Sequence, residues 1–122
     1  MHIEIESVKE LTNQLINYNQ QITEIYVKTK ESNKDANFYT EVKPFADNVH
    51  RTALKWKKAA SKWLQHAKIN YLHPQQIEDT YENLLIVSVK AFQKTTRPKR
   101  FREMTKSIDY VLNTISLNLK LD

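Results

Sequence analysis

Apolar side chains return every three or four residues along four stretches of the chain, and each stretch ends at a polar or proline-bearing break. In the first, Val8, Leu11, Leu15, Tyr18, Ile22, Ile25 and Thr29 form a seam at alternating steps of three and four, the pattern of a helix packed at a shallow angle on antiparallel partners. Ser7, with Glu10 three residues on, reads as a capping box that opens this helix. The helix fades near Glu31 into the polar turn Ser32, Asn33, Lys34, Asp35, whose side chains compete with the backbone for hydrogen bonds. A second stripe runs through Phe38, Val42, Phe45, Val49, Ala53, Trp56, Ala60, Trp63 and Ala67. Pro44 falls inside it, and a proline removes one backbone donor and crowds the preceding turn, so the expectation is a kink or a short separate turn over residues 36–43 before the main helix.

The third stretch begins at His73 and Pro74, with proline in the first-turn position it tolerates best, and places Ile77, Tyr81, Leu84, Ser88 and Ala91 on one face. Its middle is apolar around most of the circumference: Leu84, Leu85, Ile86, Val87, Val89 and Phe92 exceed what one packed face needs. A β-strand over residues 84–89 fits the same run, but no partner strand is visible elsewhere. The fourth stretch restarts at Pro98 and carries Phe101, Met104, Ile108, Val111, Ile115 and Leu119. Four helices with short connections predict an all-α, antiparallel, up-down-up-down four-helix bundle, a single domain over residues 1–122, with its second helix kinked or interrupted near Pro44.

Composition sharpens this picture. The chain has no glycine and no cysteine, whereas glycine ordinarily makes up about 7% of a globular sequence. Tight hairpins and phosphate-cradling loops need glycine's positive φ, and disulfides, thiolate zinc sites and cysteine nucleophiles need the thiol. Glu4, Glu6 and Glu10 stand where a secretory leader would carry positive charge, and no apolar run is long enough to span a membrane; the expectation is a cytoplasmic chain without membrane association.

The net charge of +5 is unevenly spread. Residues 51–68 hold six basic side chains and no acidic one, and residues 94–106 hold six more against Glu103 alone. Clustered Lys and Arg bind phosphate backbones, often beside stacking aromatics. Trp56 and Trp63 lie among the lysines of the first cluster, but their seven-residue spacing puts them on the apolar stripe with Ala60, so they read as core. In the expected topology the end of the second helix and the start of the fourth lie at opposite poles, which makes two patches and not one groove. Arg97, Lys99, Arg100 and Arg102 are the expected phosphate contacts if the chain binds nucleic acid.

Catalytic patterns are absent by this reading. Glu78, Asp79 and Glu82 sit early in the third helix, where carboxylates oppose the helix dipole, and that explains them. Asp47 to His50 is half of the Glu-x-x-His type of motif that holds di-iron in bundles, without a second copy, and His2, His66 and His73 share no face with it. No catalytic, metal or cofactor-binding residue is therefore expected, and no cofactor. The fourth helix has the ingredients of a membrane-surface helix, but the bundle core already uses its apolar stripe.

Phe38-Tyr39-Thr40-Glu41-Val42-Lys43-Pro44, the later Trp56, the helix entry Tyr71-Leu72-His73-Pro74-Gln75-Gln76-Ile77-Glu78, and Lys99-Arg100-Phe101-Arg102 together resemble the YppE-like proteins of Gram-positive bacteria. The resemblance covers most of the chain and implies a four-helix bundle of uncharacterised function. It carries over no site residue.

The apolar excess at Ile86, Val87 and Val89 remains, and an extra apolar surface commonly marks an interface. The sequence thus favours a non-enzymatic interaction or accessory module, with a protein partner or self-association through these three residues. The alternative is a nucleic-acid-associated protein that binds phosphate backbone through its Lys/Arg patches.

Overall fold

The computed structural model describes residues 2–67 and 69–120. Four helices account for nearly all of it: α1 (His2–Ser32), α2 (Lys43–His66), α3 (Pro74–Lys90) and α4 (Pro98–Lys120), with no strand among the described residues. α1 starts earlier than a cap at Ser7 would allow. Ser7 lies within the helix, because Ile5 packs on the core and extends the apolar face one turn towards the amino terminus. The opposite end follows the pattern, and Asn33, just past the helix, turns the chain with φ of 53° while its N–H donates to the Thr29 carbonyl at 2.9 Å.

Between α1 and α2 the chain makes a single π-helical turn, Phe38–Val42, before α2 takes Pro44 into its first turn. The interruption expected near Pro44 is therefore present, and proline costs little there because a first-turn N–H has no intrahelical partner. Asn37 closes the turn from below: its Oδ1 accepts from Thr40 N at 3.0 Å, and its own N–H donates to Glu41 Oε2 at 2.8 Å. α3 opens similarly, since His73 N donates to Gln76 Oε1 at 2.7 Å and Pro74 follows. Residues 84–89 are helical throughout, which removes the strand reading.

Each helix packs chiefly on two neighbours, with a lighter contact between α1 and α3 across the bundle. α1 lies against α2 and α4, and α3 lies against the same pair, which leaves α2 and α4 on a diagonal. Residue pairs across these seams run in opposite senses. Along α1 and α2, Thr12 meets Trp56 and Tyr18 meets Phe45; along α1 and α4, Asn19 meets Asp109 and Tyr26 meets Phe101; along α2 and α3, His50 meets Ser88 and Lys57 meets Glu78.

The core holds Val8, Leu15, Ile22, Val49, Trp56, Ile77, Leu84, Ile108, Leu112 and Ile115, all fully buried. Each such side chain, alanine-sized ones aside, contributes about 1.5–3 kcal/mol by leaving water. The inward seam of α1 is Val8, Thr12, Leu15, Asn19, Ile22, Tyr26 and Thr29, and Leu11, Tyr18 and Ile25 flank it half-buried. Several polar groups turn inward, and most find partners, although Asn19 Oδ1 is buried without one among the described residues. Trp56 Nε1 donates to Thr12 Oγ1 at 3.0 Å, and Asn19 Nδ2 donates to the Thr105 carbonyl at 3.0 Å and to Asp109 Oδ1 at 2.7 Å.

Candidate functional site

The helices bring some of the predicted interface and basic residues together and separate others. Ile86, 39% exposed near the end of α3, Arg97, exposed just before α4, and Arg100, exposed in its first turn, line one open cleft of about 300 Å³. Lys90, Phe101 and Met104 complete its main walls. The arrangement follows from helix periodicity. Ile86 and Lys90 are four residues apart on α3, and Arg100 and Met104 are four apart on α4, so each helix presents one apolar and one basic side chain to the same space.

Below the opening, Phe101 is buried and stacks on Tyr26 with ring centroids 4.1 Å apart. The connection that forms the end of the cleft is tied down at several points. Tyr26 Oη donates to the Thr96 carbonyl at 2.7 Å, Thr96 Oγ1 donates to the Lys90 carbonyl at 2.7 Å, and Lys30 Nζ donates to the Lys94 carbonyl at 2.8 Å. Lys94 N donates in turn to Asp35 Oδ1 at 2.8 Å. Ion pairs among the described residues join Lys43 to Asp47 and Lys57 to Glu78, each at 2.8 Å, and neither involves a rim cation of the cleft. Among the described residues no carboxylate lines the cleft.

The other predicted residues fall elsewhere. Val87 is fully buried in the core, so it offers no surface to a partner; its position three residues after Leu84 and four before Ala91 puts it on the packed face of α3. Val89 is half-buried and lines a separate cavity of about 210 Å³ with Phe38, Val42 and Phe92, beneath the π-helical turn. The apolar excess of α3 is thus divided among core, turn and cleft. Lys99 and Arg102 are exposed and do not line the cleft.

Trp56 and Trp63 are buried, as their spacing implies. Within the first basic cluster, Lys57 bonds Glu78 and sits 4.7 Å from the centre of the Tyr81 ring. The Glu78 hydrogen bond raises the Lys57 ammonium above its usual range, and the Lys43 hydrogen bond lowers the Asp47 carboxyl below its own. Lys68 of that cluster lies outside the described residues. His50 of the half-motif places Nε2 3.0 Å from Ser88 Oγ and 3.3 Å from the Leu85 carbonyl, which ties α2 to α3. Among the described residues no group of three or more His, Cys, Asp or Glu side chains is gathered closely enough to hold a metal ion.

The sequence reading singled out Ile86 for the apolar excess of its stretch and Arg97 and Arg100 for their charge, as residues of two different surfaces; it passed over Lys90 and counted Phe101 and Met104 only as core. The i, i+4 pairing of apolar with basic residues on both helices was the available signal.

Four packed helices, with no strand among the described residues, define the class of protein as an all-α helical bundle, and its lineage follows from the sequence. Residues 12–119 match the family described as "Bacterial domain of unknown function (DUF1798)", and the chain belongs to that family. The uncharacterised protein YppE of Bacillus subtilis (strain 168) is 26% identical over 110 residues, which span 90% of this chain and 89% of YppE. A crystal structure of a Listeria innocua protein of unknown function superposes with a TM-score of 0.93 at 26% identity, covering 99% of this chain and 97% of that one. The crystal structure of YppE from Bacillus subtilis gives 0.89 at 24% identity, over 95% of this chain and 94% of its own, and shows the shared fold. These relatives bear out the YppE-like resemblance and attach no activity to it.

Proposed function

We propose that this protein is a non-enzymatic, cytoplasmic interaction module that engages a protein partner through the α3–α4 cleft. The observation that carries the reading is the convergence of Ile86, Lys90, Arg97 and Arg100 on one open cleft with an apolar interior. A cleft of about 300 Å³ is at the small end of ligand sites, suited to a few side chains of a partner. Interfaces are built this way, with an apolar centre and a polar, hydrated rim.

Nucleic-acid binding through Arg97, Lys99, Arg100 and Arg102 is the second reading, and it draws its support from the exposure of all four. It fits less well. The cleft's aromatic residue, Phe101, is buried against Tyr26 and offers no open face for a base to stack on.

Affinity capture of the tagged protein from its native cells, split into nuclease-treated and untreated halves, separates the two. The module reading expects a stoichiometric protein partner that survives nuclease and moderate salt. Nucleic acid in the untreated half, with proteins lost on digestion and binding that weakens steeply with salt, would replace it with the second reading.

A further inference from the structure

We infer that the α3–α4 cleft receives an acidic peptide segment of a partner protein, with one bulky apolar side chain inserted between Ile86 and Met104 and flanking carboxylates held by Lys90, Arg97 and Arg100. The inference rests on the interaction-module reading and adds the chemistry of the partner.

Charge is the first argument. Three cations surround the opening, none in an ion pair among the described residues, and no described carboxylate lines the cleft. Like charges around one opening repel one another, and an incoming anion relieves that repulsion. Arginine suits the task because its planar fork can hold a carboxylate through two parallel hydrogen bonds.

The apolar interior is the second argument, since it separates an acidic segment with an anchor from a simple polyanion. Ile86 is partly exposed, Met104 is half-buried, and Phe101 closes the space beneath them. Methionine adapts its shape to different occupants, while the stacked Phe101 does not move without disturbing Tyr26. An all-polar anion would leave these surfaces wet, and a neutral apolar segment would leave three cations unmatched.

Preorganisation is the third. The hydrogen bonds from Tyr26, Thr96 and Lys30 fix the connection between α3 and α4 before any partner arrives, and so reduce the ordering cost of binding.

The test is selection of a random-peptide phage library on the full-length protein, followed by fluorescence anisotropy of the enriched peptides. Each peptide is measured on the wild type, on Arg97→Gln with Arg100→Gln, on Ile86→Ser, and on Val27→Ser, an exposed position on α1 that does not line the cleft. All substitutions are at exposed residues, and far-UV circular dichroism verifies that each variant is folded. The expected result is enrichment of peptides combining Asp or Glu with Leu, Ile, Phe or Met. Their Kd rises about tenfold or more on each cleft variant and is unchanged on Val27→Ser.

Enrichment of neutral or basic peptides, no enrichment at all, or peptides that bind the cleft variants as tightly as the wild type would overturn the inference. A single-stranded oligonucleotide whose binding needs Arg97 and Arg100, with no peptide enriched, would overturn it in favour of nucleic acid. Acidic peptides that bind undiminished to the cleft variants would end this inference and leave the module reading standing. Failure to capture any nuclease-resistant partner from cells would end the module reading itself.

Discussion

At Asn33 the backbone adopts φ of 53°, the left-handed conformation that usually falls to glycine at a helix end. In a chain without glycine, asparagine takes the position because its short polar side chain tolerates that region best. Asn33→Val should cost about 1–2 kcal/mol, measured by urea unfolding, because a β-branched side chain clashes there. Trp56 shows another single-residue dependence. Its indole N–H is buried and donates to Thr12 Oγ1, so Thr12→Val should leave the donor without an acceptor and cost about 1–3 kcal/mol by the same measurement. The seven-residue step from Trp56 to Trp63 made both tryptophans legible as core. Thr12 and Asn19 were not legible, since a hydroxyl and an amide on a helix read as solvent-facing until a partner is known. Asn19 pins α1 to α4 by donating to two acceptors, an arrangement no local pattern announces.

Among the elements, α3 divides its apolar residues most sharply between core and cleft. Neighbouring residues on a helix point about 100° apart, so Val87 faces the core while Ile86 faces the cleft. Val87→Glu should therefore abolish cooperative thermal unfolding by burying an unpaired charge, and Ile86→Glu should keep the wild-type circular dichroism spectrum and a cooperative melt. Similar melts for the two would contradict this assignment of faces. The run from Leu84 to Phe92 looked like one surplus surface because hydropathy counts side chains without saying which gap each one fills. The π-helical turn covers Val89, and that cover became visible only once the chain after α1 was folded back. Lys57 and Glu78 link α2 to α3 near the other end. Bonding to Glu78 raises the folded Lys57 above its ordinary 10.5, so the pair's contribution is complete below pH 10.5 and is lost as pH climbs through the folded value. The pair is substantially exposed, so the effect is small, and Lys57→Met should remove this alkaline component from a series of melts across pH.

Over the whole molecule, the paired contacts put the carboxyl-terminal half of α2 beside the start of α1, and the start of α4 beside the end of α1. The two basic clusters consequently occupy opposite poles, as helix order alone suggested, and neither extends the other into a strip. The cluster at α4 gains a specific shape from its neighbour α3, and the cluster at α2 spends one lysine on a structural pair. Four-helix architecture was readable from the stripes and the prolines. The cleft was readable only in part, because its two walls come from different helices and their meeting depends on how α3 and α4 diverge. The central claim is that this cleft is the working surface of the protein. Quantitative affinity capture from nuclease-treated native cells tests it most directly, with wild type, Ile86→Glu combined with Arg100→Glu, and Val27→Glu as bait in parallel. The account predicts a protein partner retained by wild type and Val27→Glu and lost from the cleft variant. Equal recovery by all three baits would place the interaction elsewhere and contradict it.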